Sequence, residues 1–340
     1  MLFAASKFGY TARVQERLPE VERAANGLRV RGHALYLEPR GRPPMGFLAH
    51  ARGTFTVLPE RTVATAPTVA LLEAAQPRAL RRTAALPAAY GKPFALGSLR
   101  LTVHPAGHVL GSAQLRCEGE GLDLVYAGDI VGSGRRASLT AEPREQLECE
   151  TLALRALYGH PRYLFPPREE LLERVRAFVD KSLRDGRTPV LVAAAVGAAQ
   201  DLVAYLGDRG RTLRVHPTAY RACEVYAVSG VALKNFARLG SEGEVVLVPP
   251  TARLSRLELG EHRVCALSGR AVDGIRGADE AIPLSDHAGF DELVDYAVRS
   301  HAQRVFAVQG YAEELAAALR QRKIEAVAVR EHHQLRLPGF

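Results

Sequence analysis

The sequence predicts a mixed α/β fold, strand-rich at first and alternating later, and three observations carry that expectation. Short apolar or β-branched runs bounded by Gly, Pro and Arg recur through the first 150 residues. After Pro166-Pro167 the pattern changes to strand–helix alternation with short connections, the mark of a parallel α/β unit. The length of 340 residues exceeds the roughly 250–300 at which one hydrophobic core stops growing, so two cores, or one with a large insert, are expected.

Taken in order, Leu28–Val30, Ala34–Leu37, Phe47–Ala49, Phe55–Leu58 and Thr62–Thr65 read as strands, and Thr68–Ala75 as a short helix. Leu99–His104, Ala113–Cys117 and Leu122–Ala127 continue the strands, the last two split by the turn-like Glu118-Gly-Glu-Gly121. Arg168–Arg184 is a helix: Leu171, Leu172, Val175, Phe178 and Val179 share one face, and Gly186 ends it. Val190–Ala195, Thr212–Val215 and Val245–Val248 are strands around helices Ala198–Leu206 and Ala219–Val228. From Arg263 follow strand Val264–Leu267, helix Phe290–Val298, strand Val305–Val308, helix Ala312–Arg320 and strand Ala326–Val329. There is no internal repeat and no low-complexity tract.

Composition excludes several classes. Hydrophobic residues make up 47% and charged residues 24%, which rules out a disordered or fibrous chain. The longest apolar stretch, Pro189–Ala199, is too short for a membrane span, and Met1–Tyr10 has no signal core. Cys117, Cys149, Cys223 and Cys265 lack paired spacing, so no disulfide framework or Cys-type zinc site is implied and a reduced, cytoplasmic setting is expected. A formal charge of +8 and a pI near 9.5 admit a polyanionic partner. Only five of the 45 basic residues are Lys. Arg suits phosphate because its planar fork donates two hydrogen bonds at once, although a GC-rich genome would also enrich Arg.

Three segments are built like site loops. His104-Pro-Ala-Gly-His108-Val-Leu-Gly-Ser-Ala-Gln114 joins two strands and presents His108 from a Gly turn. Tyr126-Ala-Gly-Asp129 ends a strand on an acid, and Leu284-Ser-Asp-His287-Ala-Gly precedes a helix. Loops at strand ends are where a sheet scaffold places working groups, and imidazoles with a carboxylate are the donors a borderline divalent cation needs. Taken singly, each His also reads as a hydrogen-bonded turn residue.

Together and in this order, these segments resemble the metallo-β-lactamase fold of the β-CASP nuclease branch, most closely the compact prokaryotic mRNA 3′-end processing factors and ligase-associated exonucleases. Tyr158–Pro167 looks like the start of the β-CASP insert and Val196–Gln200 is similar to its first helix; Leu284–Ala288 and Gly310–Leu315 match the segments that close the site. The likeness runs from about residue 28 to the C-terminus. It implies an αββα sandwich from residues 1–160 and 264–340, with a β-CASP α/β cap of residues 165–262 inserted between its halves.

The chain also departs from the family pattern. Active members carry His-x-His-x-Asp-His, and the aligned stretch here is His50-Ala-Arg52-Gly-Thr54-Phe55. Arg52 has no lone pair to offer, and Phe55 cannot ligate. Arg155 stands where the family has an acid, and Gln309 where it has a His. By the resemblance the first metal position keeps His50, His108 and Asp129, and the second keeps Asp129 and His287. The expectation is therefore a pseudonuclease: no metal, or at most one ion (Zn or Mn) at His50, His108 and Asp129, with Arg52 paired to Asp129 as a replacement for the lost cation. The alternatives are that Arg52 turns to solvent, or that the protein is a working nuclease with a reduced single-metal site. RNA or single-stranded DNA would lie on Arg52, Arg155, Arg162 and Arg270 with Tyr158 as a stacking surface. By analogy with paired active and degenerate subunits, an active paralogue is an expected partner, and a membrane is not.

Overall fold

The computed structural model describes residues 20–52, 57–119 and 121–329. The chain opens with a six-stranded sheet in sequential order: β1 (Val21–Ala24), β2 (Gly27–Val30), β3 (Leu35–Leu37), β4 (Met45–Phe47), β5 (Arg61–Ala64) and β6 (Ala84–Pro87). Helices α1 (Ala66–Ala75) and α2 (Pro77–Leu80) connect β5 to β6. Thr65 starts α1 by accepting the Thr68 amide, with Pro67 in the first turn where its missing N–H costs nothing.

A second sheet begins with the antiparallel run β7 (Phe94–Leu96), β8 (Leu99–Pro105), β9 (Ala113–Gly119) and β10 (Leu122–Gly128), then adds β11 (Thr151–Arg155) parallel to β10. The chain then leaves this sheet for α3 (Arg168–Arg184), β12 (Thr188–Val192), α4 (Ala198–Gly207), β13 (Leu213–Val215), α5 (Pro217–Val228), β14 (Phe236–Arg238), β15 (Val245–Val248), β16 (His262–Leu267) and β17 (Glu280–Ile282). These six strands form a third, all-parallel sheet in the order β14-β13-β15-β12-β16-β17. Helix α6 (Phe290–Arg299), β18 (Arg304–Val308), α7 (Ala312–Arg320) and β19 (Glu325–Val329) return to the second sheet, whose order is β19-β18-β11-β10-β9-β8-β7.

Alternation of side chains along the strands sets the layers. Leu124, Tyr126, Ala153 and Phe306 face the first sheet's Leu35, Leu37 and Phe47 in one core. Val125, Ala127, Leu152, Leu154, Val305 and Ala307 point the other way, onto Leu293, Tyr296, Leu315 and Leu319 of α6 and α7. Leu48 and Ala64 pack outward onto Leu71 and Leu72 of α1. The result is an αββα sandwich carrying an inserted α/β unit, the fold class expected. The third sheet has helices on one face, where α3, α4 and α5 cover Leu191, Leu213, Leu247 and Cys265. The other face, with Val190, Val246 and Val248, is covered by the segment around Leu254, Leu257 and Leu259.

Two expectations need correction. The strand at Val264–Leu267 was assigned to the sandwich, yet β16 pairs in parallel with β12, and β17 pairs with β16. Both therefore belong to the inserted sheet. The helix at Val196–Gln200 is preceded by the longer α3, so it is the unit's second helix. Of the strand expected at Phe55–Leu58, Phe55 and Thr56 lie outside the described residues, as does Met1–Tyr10, and Val57 and Leu58 are not in a strand. Among the described residues no helix is long and apolar enough to cross a membrane.

All four cysteines are free and buried. Burial pushes the Cys149 and Cys265 thiols up to about 12 and Cys223 up to about 11, and raises Cys117 as well. The thiolate is the reactive form, so native protein at pH 8 should react with a thiol-specific disulfide reagent only as fast as it opens. All four thiols should react at once in denaturant. A thiol titrating immediately in the native protein would contradict this packing.

Candidate functional site

The sandwich gathers its chemistry where strand ends of the second sheet meet the inserted unit. His50 lies just past β4, and its turn is pinned by Ala113 N–H to Ala49 O (2.7 Å) and by Ala49 N–H to the Glu38 carboxylate (2.6 Å). His108 sits in the β8–β9 loop after Gly107, which has φ +76 and no room for a side chain: a Cβ there would lie 2.8 Å from Val131 Cγ1. Asp129 directly follows β10. His287 lies between β17 and α6, its amide held by Ser285 Oγ (3.0 Å).

The structure brings these four residues together. One nitrogen each of His50 and His108 and one Asp129 oxygen lie within 4.8 Å of one another, all buried; among the described residues this is the sole such group of three His, Cys, Asp or Glu donors. The His50 and His108 rings are 4.8 Å apart, the His108 and His287 rings 4.4 Å, and His287 Nε2 is 3.6 Å from Asp129 Oδ2.

Hydrogen bonds assign the protons. His50 Nδ1 accepts the Arg52 amide (3.0 Å), so its proton is on Nε2 and is donated to Asp129 Oδ2 at 2.9 Å. His108 Nδ1 donates to the Asp286 carbonyl (2.8 Å), leaving Nε2 as a buried lone pair with no hydrogen-bond partner among the described residues. Burial, then the neighbouring His287 and His50, push the His108 imidazole well below its ordinary value. Burial lowers His287 too. Burial would by itself raise the Asp129 carboxyl, but the nearby His287 and Arg155 and the hydrogen bond from His50 outweigh it and hold the group well below the usual carboxylate range. His108 and His287, both lowered, thus stand beside one ionised carboxylate.

The counter-charge is not the one expected. Arg52 does not reach Asp129. Its side chain, 30% exposed, pairs with Asp286 Oδ2 at 2.8 Å, because the turn that folds its amide onto His50 directs the side chain toward the inserted unit. Arg155 pairs with Asp129 Oδ2 instead. Parallel pairing of β10 with β11 sets Gly128 beside Leu154, so the next residues, Asp129 and Arg155, emerge side by side. Arg155 is therefore removed from the nucleic-acid contacts and becomes part of the site's interior.

Tyr158 is also reassigned. It is 6% exposed, with ring centroids 4.8 Å from Tyr163 and 5.1 Å from Phe165, so no face is open to stack on a base. Arg162 and Arg270 are exposed as expected. Arg162 lies over the Tyr163 and Tyr311 rings, 5.5 Å from each centroid. Gln309 lines a cavity with Tyr126 and Glu38 that has no histidine in its lining. Thr54 and Phe55 lie outside the described residues.

Sequence reading missed Asp286. Its carboxylate, 3% exposed, accepts both Arg52 and the Ala198 amide (3.2 Å) at the start of α4, while its carbonyl fixes the His108 tautomer. The available signal was its place next to His287, at a helix N-terminus in space but not in sequence.

These donors fit at most one ion. His108 Nε2 has the orphan lone pair a metal would take, but Asp129 Oδ2 already accepts from His50 and Arg155. Among the described residues no second group of three donors is found, and His287 Nε2 lies 3.6 Å from Asp129 Oδ2.

No family model matches the chain. It is 33% identical over 304 residues, 86% of its length, to a protein of Opitutus terrae named a probable DNA ligase, and spans 29% of that protein. It is 34% identical over 115 residues, 33% of the chain, to a transcription termination factor of Pyrococcus abyssi, and spans 18% of it. With a ribonuclease of Thermus thermophilus it shares 31% identity over 130 residues, 37% of the chain and 28% of the relative. The chain thus spans under a third of the length of these relatives.

Proposed function

We propose that this chain is a β-CASP-type metallo-β-lactamase-fold protein that binds nucleic acid without cutting it, as a scaffolding or positioning subunit in RNA or DNA processing. One observation carries the reading: both carboxylates at the site are neutralised by arginines, Asp129 by Arg155 and Asp286 by Arg52. Phosphodiester hydrolysis in such a cage depends on ions that activate water and take up developing charge. Here guanidinium groups hold the carboxylates, and they supply neither hydroxide nor an open coordination position. The relatives' names, which include a ligase, a ribonuclease and a termination factor, support nucleic acid as the ligand class. The long match to the ligase-named protein makes DNA ends the first substrate to try. An active paralogue is the proposed partner.

Arg52, Arg162 and Arg270 form the proposed phosphate contacts. Three such contacts to a single strand give a slope of log affinity against log salt of about −2, at roughly 0.7 per contact. Fluorescence anisotropy with single-stranded DNA and RNA at several salt concentrations should return that slope. An R270A variant should flatten it by about 0.7. Salt-independent binding, or none at low salt, would overturn the binding role.

The orphan lone pair of His108 favours a second reading, a single-ion phosphodiesterase. Metal analysis and a nuclease assay supplemented with zinc or manganese separate the two. The proposal expects far less than one ion per chain and no cleavage above buffer; about one tightly held ion with cleavage would establish the second reading.

A further inference from the structure

We infer that the guanidinium of Arg155 stands in for a divalent cation at Asp129, and that removing it opens a latent one-zinc site made by His50, His108 and Asp129. The inference rests on the non-catalytic reading and goes further, since it names the group that keeps the ion out. The argument starts from one atom. Asp129 Oδ2 receives both the Arg155 Nη1 donor and the His50 Nε2 proton. That oxygen is the one turned to His50, His287 and Arg155, and its two hydrogen-bond donors are a guanidinium and an imidazole N–H. A divalent ion placed there would meet the guanidinium at contact distance in a buried pocket, where like charges are poorly screened.

The remaining donors match zinc once that charge is gone. His108, 0% exposed, contributes a nitrogen lone pair with no hydrogen-bond partner among the described residues, held in the ligating tautomer by the Asp286 carbonyl. Two imidazoles and a carboxylate are an ordinary zinc set with one position left for water. Loading would move the His50 proton to Nδ1 and break the bond from the Arg52 amide.

Removing the arginine alone also changes what the fold requires. Asp129, 4% exposed, would keep His50 and His287 as neighbours but lose its full positive partner. A buried carboxylate stripped of its counter-charge destabilises the folded state, and a cation that binds only that state restores it.

The test compares wild type with Arg155→Met and Arg155→Lys after chelator treatment, by thermal unfolding with and without zinc chloride and by zinc per chain after dialysis. Wild type and R155K, which both keep a cation at the site, should retain little zinc and shift hardly at all. R155M should unfold at lower temperature without zinc, hold about one zinc per chain, and gain roughly 5 °C with zinc at saturating excess. Adding His108→Ala to R155M should abolish the gain. If R155M does not stay folded unaided, refolding from urea is the readout: recovery only with zinc supports the inference, and equal failure with and without zinc overturns it. R155M that takes up no zinc, or R155K that takes up as much, overturns this inference and leaves the non-catalytic reading standing. Wild type already carrying one zinc overturns both.

Discussion

Replacing Arg168 by methionine is expected to destabilise the protein by about 3–5 kcal/mol at neutral pH, the usual cost of leaving a buried charge without its partner. Arg168 is 4% exposed at the first position of α3, and Asp201 on α4 is fully buried. Arg168 Nη1 donates to Asp201 Oδ2 at 2.7 Å, and Nη2 donates to the Ser285 carbonyl at 2.7 Å. The other Asp201 oxygen accepts Ser138 Oγ, the Leu139 amide and Thr140 Oγ1. One ion pair thus ties the inserted unit to the sandwich loop at 138–140 and to the loop that carries Asp286 and His287.

The loss should depend on pH in a stated direction. Burial raises the Asp201 carboxyl above its ordinary value even with Arg168 present, whose charge pulls the other way. An acid whose folded pKa exceeds its unfolded one binds its proton more tightly when folded, so stability falls as pH rises through that interval. Without Arg168 the folded value moves further up and the interval widens. The R168M deficit should therefore be largest at pH 7 and shrink toward pH 5, where the buried carboxyl takes up its proton. Urea unfolding at both pH values reads it, and adding Asp201→Asn should recover part of the loss at pH 7. Equal deficits at both pH values would mean that the lost packing of the arginine stem, not the orphaned charge, dominates.

Gly310→Ala should cost on the order of 3 kcal/mol, from a left-handed backbone and from overpacking together. Gly310 has φ +54, and a Cβ there would stand 2.3 Å from Ala156 O and 2.6 Å from Leu157 Cα, both backbone atoms that cannot swing away. The Ala156 carbonyl is also the acceptor of the Tyr311 amide, at 2.8 Å. Arg155 precedes Ala156, so a displacement here should also loosen the Arg155–Asp129 pair. Gly277→Ala is the control: φ is +79 but nothing lies within 4 Å of the added carbon, so only the backbone term of about 1–2 kcal/mol remains. Equal losses for the two variants in urea unfolding would remove the steric part of the account.

Much of the fold was legible because it depends on local pattern. The apolar face of α3, closed by Gly186, gave its limits at both ends, and the strand at Val245–Val248 stood out as a continuous apolar run. His50, His108, Asp129 and His287 were legible as a set because each sits in a short, recognisable loop. The short strands β1, β6 and β7 were not, since three or four residues at a sheet's margin carry too little periodicity. Strand β11 was missed for the opposite reason. Thr151-Leu-Ala-Leu is buried on both faces between β10 and β18, so it shows no alternation to separate it from a helix turn.

That miss decided the reading of the site. The sequence by itself determined which side chains with lone pairs and which arginines are present, and from these an incomplete two-ion cage is the expectation. Which arginine meets which carboxylate was decided only by tertiary structure. The resemblance to the family motif favoured Arg52 for Asp129, because Arg52 aligns with a ligand position of that motif. The parallel register of β10 and β11 gave that place to Arg155, and the turn after His50 sent Arg52 to Asp286. An ion pair is set by distances of a few ångströms between strand ends, and composition and spacing carry no record of that distance.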